Sequence, residues 1–237
     1  MNILSVDTST EAMALCLARG TEDNLFERFE TRTIANGAQH SESLVPQMLE
    51  LCKHNGLILK DLDLLVCTNG PGSFTGLRIG MSACKGVALA ASIPLVSIST
   101  LDALYECVSF FNGAVVPAID ARKKRFYTAI YADGKRQTPD LDCDGDEIAK
   151  LLEGHTSTLV TGPDAVAFSH QLKNYDGALF VDGNPSANLA LTLIRLGFKK
   201  FRDNGPDDIG TGPAYVRKSD AELALLEKIR KLEEING

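Results

Sequence analysis

Tryptophan is missing altogether, and Lys and Arg (24) fall short of Asp and Glu (31), leaving a net charge of −7 over 237 residues. A chain of that sign lacks the clustered cations that neutralise phosphates, which excludes tight nucleic-acid binding on its own. Two short basic clusters, Arg122-Lys123-Lys124-Arg125 and Lys199-Lys200 with Arg202, read as solvated turn or helix-end charges. No apolar run reaches the roughly 18 residues of a membrane span. The start, Met1 to Asp7, has no basic segment and reaches a carboxylate at once, so it reads as a strand of the fold rather than a signal peptide. No CxxC pair occurs among the six cysteines (16, 52, 67, 84, 107 and 143), which excludes a zinc knuckle and a disulfide framework; they read as small buried thiols in a reducing, cytoplasmic setting. Four dispersed histidines (40, 54, 155 and 170) give no HxxxH or HExxH pair, and no GxSxG elbow is present. The sequence therefore offers no helix-borne metal site and no nucleophile with an evident base.

What is present alternates between strands and helices. The 44% hydrophobic and 23% charged composition is that of an ordinary globular chain. Ile3–Val6, Ala12–Leu17 and the region from Leu25 to Thr33 read as strands. Leu44, Val45, Met48, Leu49 and Cys52 recur at helical spacing, with Ser41 or Ser43 as the cap. Leu64–Thr68 is a continuous apolar run suited to a strand covered on both faces. It enters the tight loop Asn69-Gly70-Pro71-Gly72-Ser73-Phe74-Thr75-Gly76, followed by a helix from Gly76 to Ala91 and a strand from Pro94. Near residue 114 the opening pattern restarts: Val115–Ile119 meets Asp120, turns, and Phe126–Tyr131 alternates toward Gly134, much as the first strand meets Asp7 and returns to Gly20. A duplicated hairpin with an aspartate in its turn suggests two similar lobes. Further on, a helix is expected over Asp146–Leu152, strands over Thr158–Thr161 and Ala178–Val181, and a helix over Ala187–Phe201 capped by Ser186. A Gly/Pro/Asp-rich loop over 203–214 and an amphipathic helix over Asp220–Ile235 complete the chain. The class is α/β.

The loop from Asn69 to Gly76 can aim backbone N–H groups at an anion, but Thr75 stands where a dinucleotide fingerprint needs its third glycine, and no Lys-Ser/Thr pair follows. Asp7 with Ser9 and Thr10, facing Asp120 across a cleft, would be the layout of an actin-like phosphotransferase; the same aspartates equally serve as turn caps. Gly76, Gly80, Ala83, Val87 and Ala90 lie along one side of the helix from Gly76, which invites close approach by the sheet or by a partner.

Asn69 to Gly80 as a whole (NGPGSFTGLRIG) resembles the signature of the TsaB (YeaZ-like) proteins of tRNA threonylcarbamoyladenosine biosynthesis. So do Ile3–Thr10, His40-Ser41-Glu42, Asp120-Ala121-Arg122 before a strand with Tyr127, and Pro213–Arg217. The resemblance implies two actin-like, Hsp70-like lobes of mixed sheets flanked by helices, at 1–104 and 105–212. It also implies a segment at 213–237 whose helix packs back on the first lobe. The catalytic relative TsaD holds a metal through an HxxxH pair after the strand that corresponds to Pro94–Ile98; here Thr100 and Leu104 stand in those places. The implied role is that of a non-catalytic scaffold, with no cofactor of its own, that binds TsaD and with it the ATPase TsaE. ATP and the metal ion belong to the partner subunits, and the threonylcarbamoyl group goes to the adenosine beside the anticodon of tRNAs reached through the complex. Without TsaD, the resemblance implies a homodimer. The implied interface comprises His40, Leu44, Val45, Met48, Phe74, Thr75, Gly76, Arg78 and Gly80, and the candidate nucleotide cleft Asp7, Ser9, Thr10 and Asp120. Two alternatives are an autonomous actin-like small-molecule kinase and a glycoprotease-like peptidase.

Overall fold

The computed structural model describes residues 1–35, 40–183 and 189–217, with His40 described in its backbone only. Two sheets of matching plan form the molecule. The first has the order β3-β2-β1-β4-β5, built from β1 (Asn2–Asp7), β2 (Met13–Arg19), β3 (Arg28–Ile34), β4 (Leu64–Gly70) and β5 (Leu95–Ser99). β1 runs antiparallel to β2, and β2 to β3, while β4 lies parallel to both β1 and β5. The second sheet repeats this as β10-β7-β6-β11-β12, with β6 (Ala114–Asp120), β7 (Phe126–Thr128), β10 (Leu141–Cys143), β11 (Ser157–Thr161) and β12 (Ala178–Val181). Its strand directions match one for one. A two-rung ribbon, β8 (Tyr131–Ala132) and β9 (Lys135–Arg136), is added to β6. The duplicated hairpin is thus the visible part of a duplicated sheet, and the class is the two-lobed α/β arrangement the resemblance implies.

Helices cover three apolar layers. α1 (His40–His54) and α2 (Phe74–Ala91) pack on one face of the first sheet, where Leu4, Leu15, Leu44, Met48, Leu65 and Met81 form one core. α4 (Gly145–Leu151) and α5 (Ala165–Ser169) cover the outer face of the second sheet around Val116, Ile148 and Phe168. Between the sheets lie α3 (Thr100–Cys107) and α6 (Leu189–Asn204), in a core shared by Val66, Val96, Leu104, Val115, Tyr131, Leu193 and Phe198. Strands β1, β4 and β6 are buried almost throughout because both faces are covered, which is why they read as unbroken apolar runs. β3, at the sheet edge, alternates instead and carries Arg28, Glu30 and Arg32.

Several expectations need correction. α6 falls within 105–212 yet packs on β1, β2, β4 and β5 of the first sheet. Gly197 permits this, since a Cβ there would stand 2.4 Å from Val66. The helix expected from Ala187 starts at Leu189 in the described residues, with Ser186 outside them, as is the expected helix over 220–235 and its docking. Ser41 and Ser43 lie inside α1, which is described from His40, so neither is its cap. The run Phe126–Tyr131 is split between β7 and β8, and β10, α3 and α5 were not anticipated.

Candidate functional site

Each sheet ends its first strand on an aspartate, and each aspartate organises a turn. Asp7 is 2% exposed, and its Oδ1 accepts from Ser9 N and from Thr68 Oγ1, both at 2.9 Å. The turn it holds is pressed against the start of α2. Ser73 N donates to Ser9 O at 2.7 Å, Thr8 Oγ1 donates to Gly76 O at 2.8 Å, and Thr10 Oγ1 to Ala12 O at 3.1 Å. That approach leaves no room for side chains: a Cβ on Gly72 would fall 2.4 Å from Ser9 O, and one on Gly76 2.0 Å from Thr8 O. Ser73 caps α2 by accepting from Gly76 N at 3.2 Å.

The second lobe repeats the device. Asp120 accepts from Arg122 N at 2.8 Å, and its own N–H donates to Asp164 Oδ2 at 2.7 Å. Asp164 stands at the N-terminus of α5, one residue after Gly162-Pro163, as Gly70-Pro71 precedes α2. Gly70 and Gly162 take left-handed φ values of 115° and 105°. The paired Gly-Pro turns are a second sign of duplication that the sequence reading missed, although both were in plain view. Burial pushes the Asp164 carboxyl above the usual carboxylate range, against the pull of the Asp120 N–H, and the charges of Asp120 and Glu11 add to the rise.

Between the lobes these turns bound a cleft of about 780 Å³, lined by Ser9, Thr10, Glu11, Phe74, Asp120, Arg122, Tyr127 and Asp164 among others. Of the four residues expected in a nucleotide cleft, Ser9, Thr10 and Asp120 line it; Asp7 lies behind Ser9, bonded into its own turn. The Ser9 Oγ is buried without a hydrogen-bond partner. Glu11 and Asp164 reach the cleft only through folding. Thr100 and Leu104 are buried in α3 at 0% and 1% exposure, and among the described residues no three His, Cys, Asp or Glu side chains gather as a metal site.

The expected interface residues divide by helix face. Leu44 and Met48 are buried at 1% and 0%, and Val45 is half-buried. Gly80 is buried too, where a Cβ would stand 2.1 Å from Thr8 Oγ1. Gly76 and Gly80 therefore admit the lobe's own turn, and with Leu44 and Met48 they present nothing to a partner. Phe74, Thr75 and Arg78 are exposed, and the stripe they begin continues through Ser82, Gly86, Leu89 and Ala90. A Cβ on Gly86 would meet nothing within 4 Å. His40 is the first described residue of α1.

A family model described as TsaD, tRNA N6-adenosine threonylcarbamoyltransferase, matches residues 34–192. The tRNA threonylcarbamoyladenosine biosynthesis protein TsaB of Bacillus subtilis is 28% identical over 232 residues, 96% of this chain and 99% of that one. The chain belongs to this family, on its TsaB (YeaZ-like) side. TsaB of Escherichia coli is 37% identical over 134 residues, 55% of each chain. YeaZ from Pseudomonas aeruginosa shares the fold, with a TM-score of 0.72 at 22% identity over 91% of this chain and 99% of that one. TsaB-type proteins are thus named for a tRNA-modification pathway, and among the described residues no helix is long and apolar enough to cross a membrane.

Proposed function

We propose that this chain is a non-catalytic, cytoplasmic scaffold subunit that binds a TsaD-type partner, and with it a TsaE-type ATPase, for threonylcarbamoyl transfer to the adenosine beside the anticodon of tRNAs. Nucleotide and metal belong to the partners, tRNA is met through the complex, and the chain pairs with itself when the partner is missing. The observation that carries this reading is the outer face of α2. It holds Phe74 at 42% and Leu89 at 66% exposure, with the open backbone of Gly86 between them, on a helix whose other face is fully committed to the core. Exposed apolar residues beside a bare backbone suit close helix packing. The buried Thr100 and Leu104 add support, since neither can replace a histidine ligand.

Co-elution with the TsaD-type protein of the same organism tests the reading. The wild-type chain should bind it, and Gly86→Arg should melt no lower than wild type and elute alone. Retained binding by Gly86→Arg would remove the α2 face from the interface; failure of the wild type to bind would remove the scaffold role itself. The isolated chain should also hydrolyse ATP no faster than background. A robust ATPase that disappears in Asp120→Asn, with the fold intact, would favour an actin-like kinase.

A further inference from the structure

Among the described residues after α6, 205–217 take no regular structure, yet they are anchored to the first lobe at several points. Asp207 Oδ2 accepts from Ser97 N at 2.7 Å and Ser97 Oγ at 2.6 Å, and its other oxygen pairs with Lys200 Nζ at 2.6 Å. Ala214 N donates to Asn69 O at 2.7 Å, at the mouth of the Gly-rich loop. Arg78 Nε donates to the Tyr215 hydroxyl at 2.8 Å, and its guanidinium lies 3.9 Å above the Phe74 ring, itself 5.1 Å from the Tyr215 ring. Two residues later the strap changes lobes. Arg217 Nε and Nη2 donate to the two oxygens of Asp142, on β10, at 2.6 and 2.9 Å, and its Nη1 donates to Ala121 O at 2.8 Å. Ala121 and Phe74, which the strap links, both line the interlobe cleft.

The two sheets are already joined through the core around α3 and α6. A second, separate tether at the cleft restricts rotation about the first. A bidentate Arg–carboxylate pair suits that task, because its fork fixes direction as well as distance. Both side chains are about four-fifths shielded from water, at 23% and 19% exposure, so solvent screening is weak. We propose that residues 205–217 are a clasp that holds the two lobes together across the cleft, with Arg217 on Asp142 as its latch.

Spin labels on the cleft-lining Thr75 of the first lobe (Thr75→Cys) and on the exposed Lys124 of the second, two residues from the cleft-lining Arg122 (Lys124→Cys), give the distance between lobes; the native thiols are buried or half-buried. The otherwise wild-type protein should give one narrow distribution. Arg217→Ala should broaden it and shift it to longer distances, Asp142→Asn should do the same, and the two together should add little to either. Tyr215→Ala, at a 43% exposed position, should loosen the clasp in the middle with the fold kept, and it carries the test if Arg217→Ala does not fold. Distributions unchanged in Tyr215→Ala and Asp142→Asn, or a broad one in the parent, would overturn the clasp.

Discussion

A methyl group at Gly80 would fall 2.1 Å from Thr8 Oγ1, whereas one at Gly86, six residues along the same helix, would meet nothing within 4 Å. The same substitution should therefore have opposite signs. Gly86→Ala should raise stability by about 0.5–1 kcal/mol, the helix-propensity gain of an exposed interior site. Gly80→Ala should lower it by about 1–3 kcal/mol, as the Asp7 turn is forced off the helix. Denaturant midpoints decide this, and equal shifts would show that α2 is rotated from the orientation described. A second residue-scale test concerns Asp142. Burial disfavours its charge, but hydrogen bonds from Arg217 and then Arg125 outweigh that and hold its carboxyl below the usual range. A depressed carboxylate stabilises the fold above its unfolded pKa of about 3.9, and that contribution disappears as pH falls through the folded value. Asp142→Asn should therefore be less stable than wild type at neutral pH, and the gap should close as the pH drops below about 4. A gap that does not narrow at all as the pH falls from neutral into the acid range would mean that the carboxylate's charge is not what holds Arg217.

The hairpin turn between β6 and β7 sets three successive side-chain-bearing residues, Arg122, Lys123 and Lys124, at φ values of 64°, 56° and 61°. Each costs about 1–2 kcal/mol relative to a right-handed backbone. Lys124 is exposed, so Lys124→Gly should stabilise by up to about 1 kcal/mol in thermal or denaturant melts. A loss would mean that the side chain holds the turn. At this scale the sequence was readable where an element is long or covered on both faces: β1, β4 and α2 announce themselves by unbroken apolar runs or by the Gly-rich entry. Three-residue β10 and five-residue α5 are too short for any period to show. The helical spacing of Leu44 and Met48 established an apolar stripe, but a stripe facing the chain's own sheet and one facing a partner have the same period. The glycines misled in the same way, since Gly76 and Gly80 accommodate a turn that precedes them by about 70 residues. Glu11 and Asp164 lie far apart in the chain, and only the pairing of the two lobes brings them to one cleft.

Across the whole molecule all six cysteines are free, five of them buried and Cys107 half-buried. Burial raises the Cys16 and Cys143 thiols to about 12, and burial with the nearby charge of Asp61 raises Cys52 to about 11. The folded protein should yield no more than one thiol to an aromatic disulfide reagent near pH 8, and all six once denaturant is added. Two or more rapid equivalents from the native state would contradict this packing. The middle layer also binds the lobes into one cooperative body, because α6 comes from the end of the described chain and seats on the strands that begin it. The ribosome meets this arrangement in the wrong order. The first sheet is complete in sequence at Ser99 and α3 follows at once against β4 and β5, but the helix that covers β1 and β2 and completes the inner face is α6, described from Leu189, 90 residues later. At about 5–20 residues per second, that face stays only partly covered for on the order of ten seconds of synthesis. During that interval Ile3, Cys16 and Val66 are an open apolar handle, so the half-made chain, rather than the finished one, is the species that chaperones must guard.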